Sequence, residues 1–393
     1  VSPIGTRHAL HLLYSHYESD PRPRRMAEAL RDAGWKVTVF SLGKPDEPRN
    51  ADVDGVHTVA WGTGRYRGGA ASAYLSAYLR FSMWAASEVA RQRGRFQFVH
   101  VHAPPDFLAF SALPVRWGGA GSLLDVHDPT PELFAERFGT RRSVIMAGAK
   151  MSERWSARAA DHVLVVNEQV RERLITRGIP PGKISVILNL PDERIFWRDT
   201  LPAPPPRPVL AYHGTLVPQF GPQVLLEVAA LLIPEFPDLR VRILGDGDLK
   251  PTLLSRAAEP DLAGRVEISP ARVPVHRIPD ELGAVTAGVV ANRTQGFSRL
   301  VLPTKLLEYL ALGIPAVATR TDPIAHYFNP GELATVDRPD PVAIAAELRT
   351  LIRDPAFALH AVTKARRFFE RHSWKQEREA YVALVDRLSS RRR

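Results

Sequence analysis

Lys305 and Glu308 stand three residues apart in Leu302-Pro303-Thr304-Lys305-Leu306-Leu307-Glu308-Tyr309-Leu310-Ala311-Leu312-Gly313-Ile314-Pro315, which reads as a short helix with both ends specified. Pro303 suits the first helical position, where a missing N–H is no loss. Gly313 suits the left-handed position just past the end, and Pro315 blocks continuation. Leu306, Leu307 and Leu310 form the edge of a buried face, which puts Lys305 and Glu308 together on the other side. A helix start offers unpaired N–H groups and partial positive charge, both favourable to phosphate. Lys305 adds a full charge there, and Glu308, one turn on, can accept two hydrogen bonds from a vicinal diol such as a ribose. One turn is thus able to hold the diphosphate and ribose of a nucleotide. A capped surface helix with a Lys305–Glu308 pair is the other reading of the same residues.

Further chemistry-bearing residues sit near strand ends. His100 and His102 are two apart on one strand and face the same side. With Asp106 they suggest a metal, but no further ligand stands at metal-site spacing, so none is expected. Asp20, Arg22, Arg24 and Arg25 occupy the turn after the first strand. They serve either as a helix cap with solvated arginines or as anion contacts. His127 ends a buried strand beside Asp128. Gly245-Asp246-Gly247 is followed by Lys250, so the G-x-G-x-x-G dinucleotide fingerprint fails, and no G-x-x-x-x-G-K-[ST] phosphate loop occurs.

The elements that must position these residues alternate. Strands are expected at 9–14, 35–40, 56–61, 98–102, 122–127, 162–167 and 183–188, with helices at 24–33, 70–93 and 168–177. A Pro-rich segment, Thr200 to Pro208, reads as a semi-rigid linker. The pattern restarts with strands at 209–213, 239–244, 265–269, 287–291 and 316–319, and helices at 222–232, 303–312, 341–352 and 355–372. A last helix spans 374–389. Short apolar strands between helices imply parallel sheets covered on both faces. The expected fold class is α/β: two Rossmann-like doubly wound domains in tandem, 1–200 and 207–373, facing a cleft, with residues 374–393 crossing back to the first.

The 393 residues are 45% hydrophobic and 24% charged, with a net charge of +10 and no cysteine. Disulfides, thiolate metal sites and thiol nucleophiles are excluded. No apolar run approaches a membrane span, and no signal peptide is apparent, so a cytoplasmic location is expected. The basic residues are dispersed and no nucleic-acid module appears, which argues against a nucleic-acid partner. Arg137, Arg141, Arg142, Lys150, Arg154 and Arg158, with Met146, Met151 and Trp155, form either a solvated helix or a basic–apolar face for peripheral contact with an anionic membrane.

Five segments in order carry a family likeness: Asp20 to Arg25, Asp125 to Glu132, Tyr212-His213-Gly214-Thr215, Leu244-Gly245-Asp246-Gly247, and the helix from Pro303 to Pro315. Together the chain resembles the family 4 glycosyltransferases of GT-B fold along its whole length, in the branch with Pro-Thr-Lys before the helix. The resemblance implies a retaining transfer of a hexose from a nucleoside diphosphate sugar to an acceptor alcohol, without catalytic metal or cofactor, in surface polysaccharide, glycolipid or natural-product biosynthesis. It implies that Glu308 binds ribose. Gly214, Thr215, Gly245, Gly247, Pro303 and Thr304 then lie at the nucleotide sugar, and His127 lines the sugar site. His127 and Lys305 are the catalytic candidates. Asp20, Arg22, Arg24, His102, Asp106 and Asp128 fall on the acceptor side.

Two departures stand out. Leu300 occupies the place of a second, sugar-contacting glutamate. The loop from Gly214 to Gly221 lacks the family's Arg and Lys, so Lys305, with Arg293 or Arg299, is expected to supply the charge. A nucleotide-sugar epimerase of the same fold, or a non-catalytic nucleotide-binding member, are the alternatives.

Overall fold

The structure is a computed structural model that describes residues 7–44, 48–62, 64, 71–138, 143–203 and 205–390. It divides into two compact units, residues 1–189 with 375–393, and residues 190–374. The first unit ends at Asn189, so residues 190–200 pack with the second unit rather than with the domain that precedes them in sequence. Arg141, Arg142 and Arg391–Arg393 lie outside the described residues.

In the first unit the chain runs β1 (His8–Leu13), α1 (Pro21–Asp32), β2 (Lys36–Leu42), β3 (Asn50–Val53), β4 (Val56–Trp61), α2 (Ala71–Arg91), β5 (Phe98–Ala103), α3 (Leu113–Trp117), β6 (Gly121–Val126), α4 (Thr130–Phe138), α5 (Ser143–Ala159), β7 (His162–Val165), α6 (Glu168–Thr176) and β8 (Ile184–Val186). The sheet order is β3-β4-β2-β1-β5-β6-β7-β8, parallel except for the β3–β4 pair. The order reverses between β1 and β5, where ligands of such sheets gather at the carboxyl ends of the strands. Register sets His11 beside His100 across this switch point, and His102 beside Asp125 on the adjoining β5–β6 pair. The short edge strand β3 is an addition to the sequence expectation. Its Asn-Ala-Asp-Val is exposed on three of four positions and lacks apolar alternation.

The second unit continues with α7 (Glu193–Phe196), β9 (Val209–His213), α8 (Pro222–Leu232), β10 (Arg240–Leu244), α9 (Lys250–Ala257), β11 (Val266–Ile268), α10 (Ile278–Glu281), β12 (Ala287–Val290), α11 (Thr304–Ala311), β13 (Ala316–Thr319), α12 (Asp322–Tyr327), β14 (Ala334–Val336), α13 (Pro341–Arg353) and α14 (Pro355–Arg371). The sheet β11-β10-β9-β12-β13-β14 is parallel throughout and reverses between β9 and β12. Its core joins Leu210, Val241, Ile243, Val289 and Val317 of the strands to Leu225, Leu226, Leu232, Ile344 and Leu348 of α8 and α13.

The final helix, α15 (Trp374–Ser390), returns the chain to the first unit. It buries Tyr381, Leu384, Val385 and Leu388. The Tyr381 hydroxyl lies 2.8 Å from His100 Nδ1. Gly121 is required where α15 crosses β6, because a β-carbon there would stand 2.7 Å from the Leu388 carbonyl oxygen.

Candidate active site

In the second unit the site is built on α11 and the turns that end β9 and β10. Helix α11 begins one residue later than expected: Pro303 is its extended cap (φ −68°, ψ 119°), and Thr304 is the first helical residue. At the other end Gly313 takes φ 75°. Gly313 N–H donates to the Leu310 carbonyl and Ile314 N–H to the Tyr309 carbonyl, closing the helix as the Gly-x-Pro pattern implies. Tyr309 seats the helix against the sheet by donating to the Ala211 carbonyl at 3.0 Å. A β-carbon at Gly288 would stand 2.4 Å from the Tyr309 ring, so β12 must carry glycine there.

Lys305 and Glu308 do share a side of α11, but it is not a solvent face. Lys305 is 8% exposed, and its Nζ has no hydrogen-bond partner among the described residues. The ammonium stands 3.7 Å from the centre of the Tyr212 ring and 5.3 Å from that of Phe220. Burial pushes its pKa down to about 7, opposed by the charge of Glu308. The aromatic faces also favour the cation. Glu308 takes a different partner, its Oε2 lying 2.5 Å from His213 Nε2. The surface Lys305–Glu308 pair therefore does not form. His213, Tyr212 and Phe220 are the members of this site that sequence reasoning missed. His213 could have been found, because it is the last residue of a central strand immediately before Gly214. The aromatic floor under Lys305 could not, since it needs the register of β9 against α11.

Gly214 closes β9 with φ 118°, and a β-carbon there would touch the end of the Lys305 side chain at 3.4–3.5 Å. Thr215 is exposed, and its carbonyl accepts the Tyr212 hydroxyl at 2.8 Å. Gly245 and Gly247 are there for closeness. β-Carbons at these positions would stand 1.9 Å from the Gly214 carbonyl oxygen and 2.4 Å from that of Leu216. Backbone bonds Gly214 N–H to Leu244 O and Leu216 N–H to Asp246 O join the two turns. Arg293 is exposed, with its N–H on the Gln219 carbonyl, and Arg299 pairs with Asp322 at 2.7 Å on the surface. Leu300 is buried. Beside Arg293, the Asn292 side-chain amide is buried with neither atom hydrogen-bonded among the described residues.

The first unit holds a second cluster at its own switch point. His127 follows the end of β6, with its side chain 18% exposed. Its Nε2 lies 3.1 Å from Asp125 Oδ2 and 3.1 Å from His102 Nδ1. His102 Nε2 continues to His11 Nδ1 at 3.0 Å. Arg22 binds Asp125 through two N–H groups, Nε to Oδ2 at 2.9 Å and Nη2 to Oδ1 at 2.8 Å, and gives its Nη1 to the Ile187 carbonyl. Arg22 and the histidines hold the Asp125 carboxyl well below the usual range, while burial lowers His11, His100 and His102, leaving them neutral imidazoles.

The other acceptor-side candidates are dispersed. Arg22 is buried with its donors turned inward. Arg24 pairs with Glu28 and Asp54. Asp20 is the cap residue of α1, yet its carboxylate accepts the Ser15 hydroxyl at 2.7 Å instead of capping. Asp128 is half-buried. Asp106 is 1% exposed; burial and the nearby Glu153 push its pKa up to about 8. The groups that act on it are Glu153, Thr130 and Arg177, none of them in the His127 cluster. Met151 and Trp155 stand exposed on α5, and no helix among the described residues is long and apolar enough to cross a membrane.

Comparison with known proteins agrees with this architecture. Residues 20–189 match the model of the glycosyl transferase 4-like domain, and residues 193–368 that of glycosyl transferases group 1. A D-inositol 3-phosphate glycosyltransferase of Thermobispora bispora is 29% identical over 241 residues, 56% of this chain and 55% of that protein. The chain thus spans about half the length of that relative. A second, of Corynebacterium urealyticum, is 26% identical over 93% of this chain and 89% of its own. Among solved structures, a sucrose-phosphate synthase of Thermosynechococcus elongatus superposes with a TM-score of 0.77 at 17% identity, covering 97% of this chain and 99% of its own. Anabaena HepE in complex with UDP-glucose gives 0.70 at 12% identity, over 96% and 99%. With both units matched in sequence and the whole chain in fold, the protein belongs to the family 4 glycosyltransferases of GT-B fold.

Proposed function

We propose that the chain moves a hexose, with retention of configuration, from a nucleoside diphosphate sugar to the hydroxyl of an acceptor alcohol. The observation that carries this is the buried Nζ of Lys305 beside Gly214, without a hydrogen-bond partner among the described residues and one turn from a carboxylate held by His213. A buried amine without a partner is costly unless an anion completes it. In this reading the diphosphate meets Lys305 and the backbone at Gly214, Thr215 and Thr304, and the ribose diol meets Glu308. Lys305 stabilises the departing diphosphate, the main electrostatic task, without a metal or further cofactor. His127 bonds a hydroxyl of the donor sugar, and a leaving phosphate oxygen takes the acceptor proton. The HepE complex with UDP-glucose makes a uridine donor the first to assay. The exposed Met151 and Trp155 suit brief contact with an anionic membrane when the acceptor is lipid-linked, and surface polysaccharide, glycolipid or natural-product synthesis is the setting proposed.

Calorimetric titration with UDP, GDP, dTDP and ADP tests the core of this reading. Lys305→Ala and Glu308→Ala should each weaken the preferred nucleotide at least about tenfold, the loss of a charged contact. Unchanged affinity in both variants would remove the site. An epimerase would convert donor alone, without acceptor, into an epimer. It would also need acid and base carboxylates at the sugar, and Leu300 stands where the family's sugar-contacting glutamate would be.

A further inference from the structure

The cluster around His127 has a geometry that hydrogen bonding alone does not require. His102 Nδ1, Asp125 Oδ2 and His127 Nε2 form a triangle with edges of 3.1, 3.1 and 3.4 Å. Three ligands on a tetrahedral zinc ion, at its usual bond lengths of about 2.0–2.1 Å, are separated by about 3.3–3.4 Å. The two ring nitrogens, His102 Nδ1 and His127 Nε2, stand 3.1 Å apart and both lie near the same carboxylate oxygen, with the ring planes crossing at 68°.

The neighbouring trio of His11, His100 and His102 lacks this property. Its ring planes lie 24° apart for His11 and His102, and 26° apart for His100 and His102, stacked in both cases. His11 and His100 are tilted at 46°, but all three rings are buried, the trio holds no carboxylate, and His102 Nε2 is already hydrogen-bonded to His11 Nδ1, so no side of it opens to a fourth ligand.

The surroundings supply what a metal site needs behind its ligands. His102 can donate Nε2–H to His11 Nδ1 at 3.0 Å, which leaves Nδ1 as the lone pair facing Asp125 and His127. Arg22 fixes the carboxylate of Asp125, whose Oδ2 retains a lone pair beyond its bond to the guanidinium. His102 and Asp125 are buried, whereas His127 is half-buried, so the fourth position opens on its side. Two imidazoles and one carboxylate select zinc, and cobalt as its spectroscopic substitute, over magnesium or calcium.

We propose that His102, Asp125 and His127 form a mononuclear binding site for zinc, and that a bound ion takes His127 out of sugar transfer. The binding half stands on the first unit alone. The silencing half rests on the assignment of His127 to the donor sugar.

Cobalt(II) titrated into the metal-free full-length protein tests the binding half. One equivalent should produce the visible absorption of a tetrahedral centre, and zinc should displace it. His127→Ala should lower cobalt affinity at least about tenfold. His276→Gln, altering an exposed histidine of the second unit, should keep affinity within about threefold in a variant with wild-type circular dichroism. No band in the wild-type protein, or a band that survives in His127→Ala, overturns the proposal.

For the silencing half, one equivalent of zinc should reduce sugar transfer at least about tenfold, reversed by chelator, while calorimetric affinity for the nucleotide alone stays unchanged. Full activity with zinc bound overturns this half only. Loss of nucleotide affinity in Lys305→Ala and Glu308→Ala is read separately, so failure of the metal site and failure of the nucleotide site are distinguishable.

Discussion

His213 Nε2 lies 2.5 Å from Glu308 Oε2, joining the last residue of β9 to the middle of α11. The contact occupies one carboxylate oxygen of Glu308. A carboxylate so held loses less freedom when it meets a diol. His213→Leu should keep the fold and weaken nucleotide binding about 3–10-fold, the value of one ordinary hydrogen bond, because the lost contact braces Glu308 and does not itself touch the nucleotide. Calorimetry reads this directly, and wild-type affinity would mean that Glu308 needs no such brace.

Lys305 couples binding to pH. With its pKa pushed down to about 7, the amine is neutral in much of the nucleotide-free protein above that point. A diphosphate restores the charge, so binding takes up a proton and affinity should fall by up to about tenfold per pH unit between 7 and 9. Titrations in buffers of different ionisation heat will show the uptake in the wild-type protein and its absence in Lys305→Met.

The same residue has a cost in stability. Between about pH 7 and the ordinary lysine value of 10.5, the unfolded chain carries the proton that the native state has lost, so stability rises with pH through that window. Lys305→Met should therefore raise the melting temperature at pH 7, by about 2–4 °C for each kcal/mol recovered, and the gain should shrink towards pH 10.

Asp106 gives the opposite slope. Its folded pKa is raised to about 8, so between about pH 4 and 8 the native state holds a proton that the unfolded chain has released. Its contribution is fully present below pH 4 and is lost as pH rises through 8. Asp106→Asn keeps the neutral shape. Thermal melts should show little change at pH 5 and a gain of about 1 kcal/mol or more at pH 9.

Much of this was legible from residue order. Strands β9 and β13 match their expected bounds, and the cap at Gly313 follows from Gly-x-Pro chemistry. The chain's resemblance to family 4 glycosyltransferases rested on five short segments, and the comparisons agree with it. The surroundings of particular side chains were not legible. Lys305 reads as a solvent-facing charge because the local helical pattern cannot show that Tyr212 and Phe220 lie beneath it. Arg22 reads as an anion contact, but its partner Asp125 is 103 positions away, brought near only by the order of β1, β5 and β6. Asp106 reads as a cleft residue, whereas the turn after β5 buries it near Glu153.

The bond between Tyr381 and His100 spans 281 positions. A growing chain therefore finishes residues 190–374, a contiguous stretch, before the first unit has received its last helix. Domains that emerge from the ribosome usually fold in order of appearance. Here the unit that starts first is completed last, and a stop codon before residue 375 would leave the second unit's sequence whole while stripping the lid from β5 and β6 of the other.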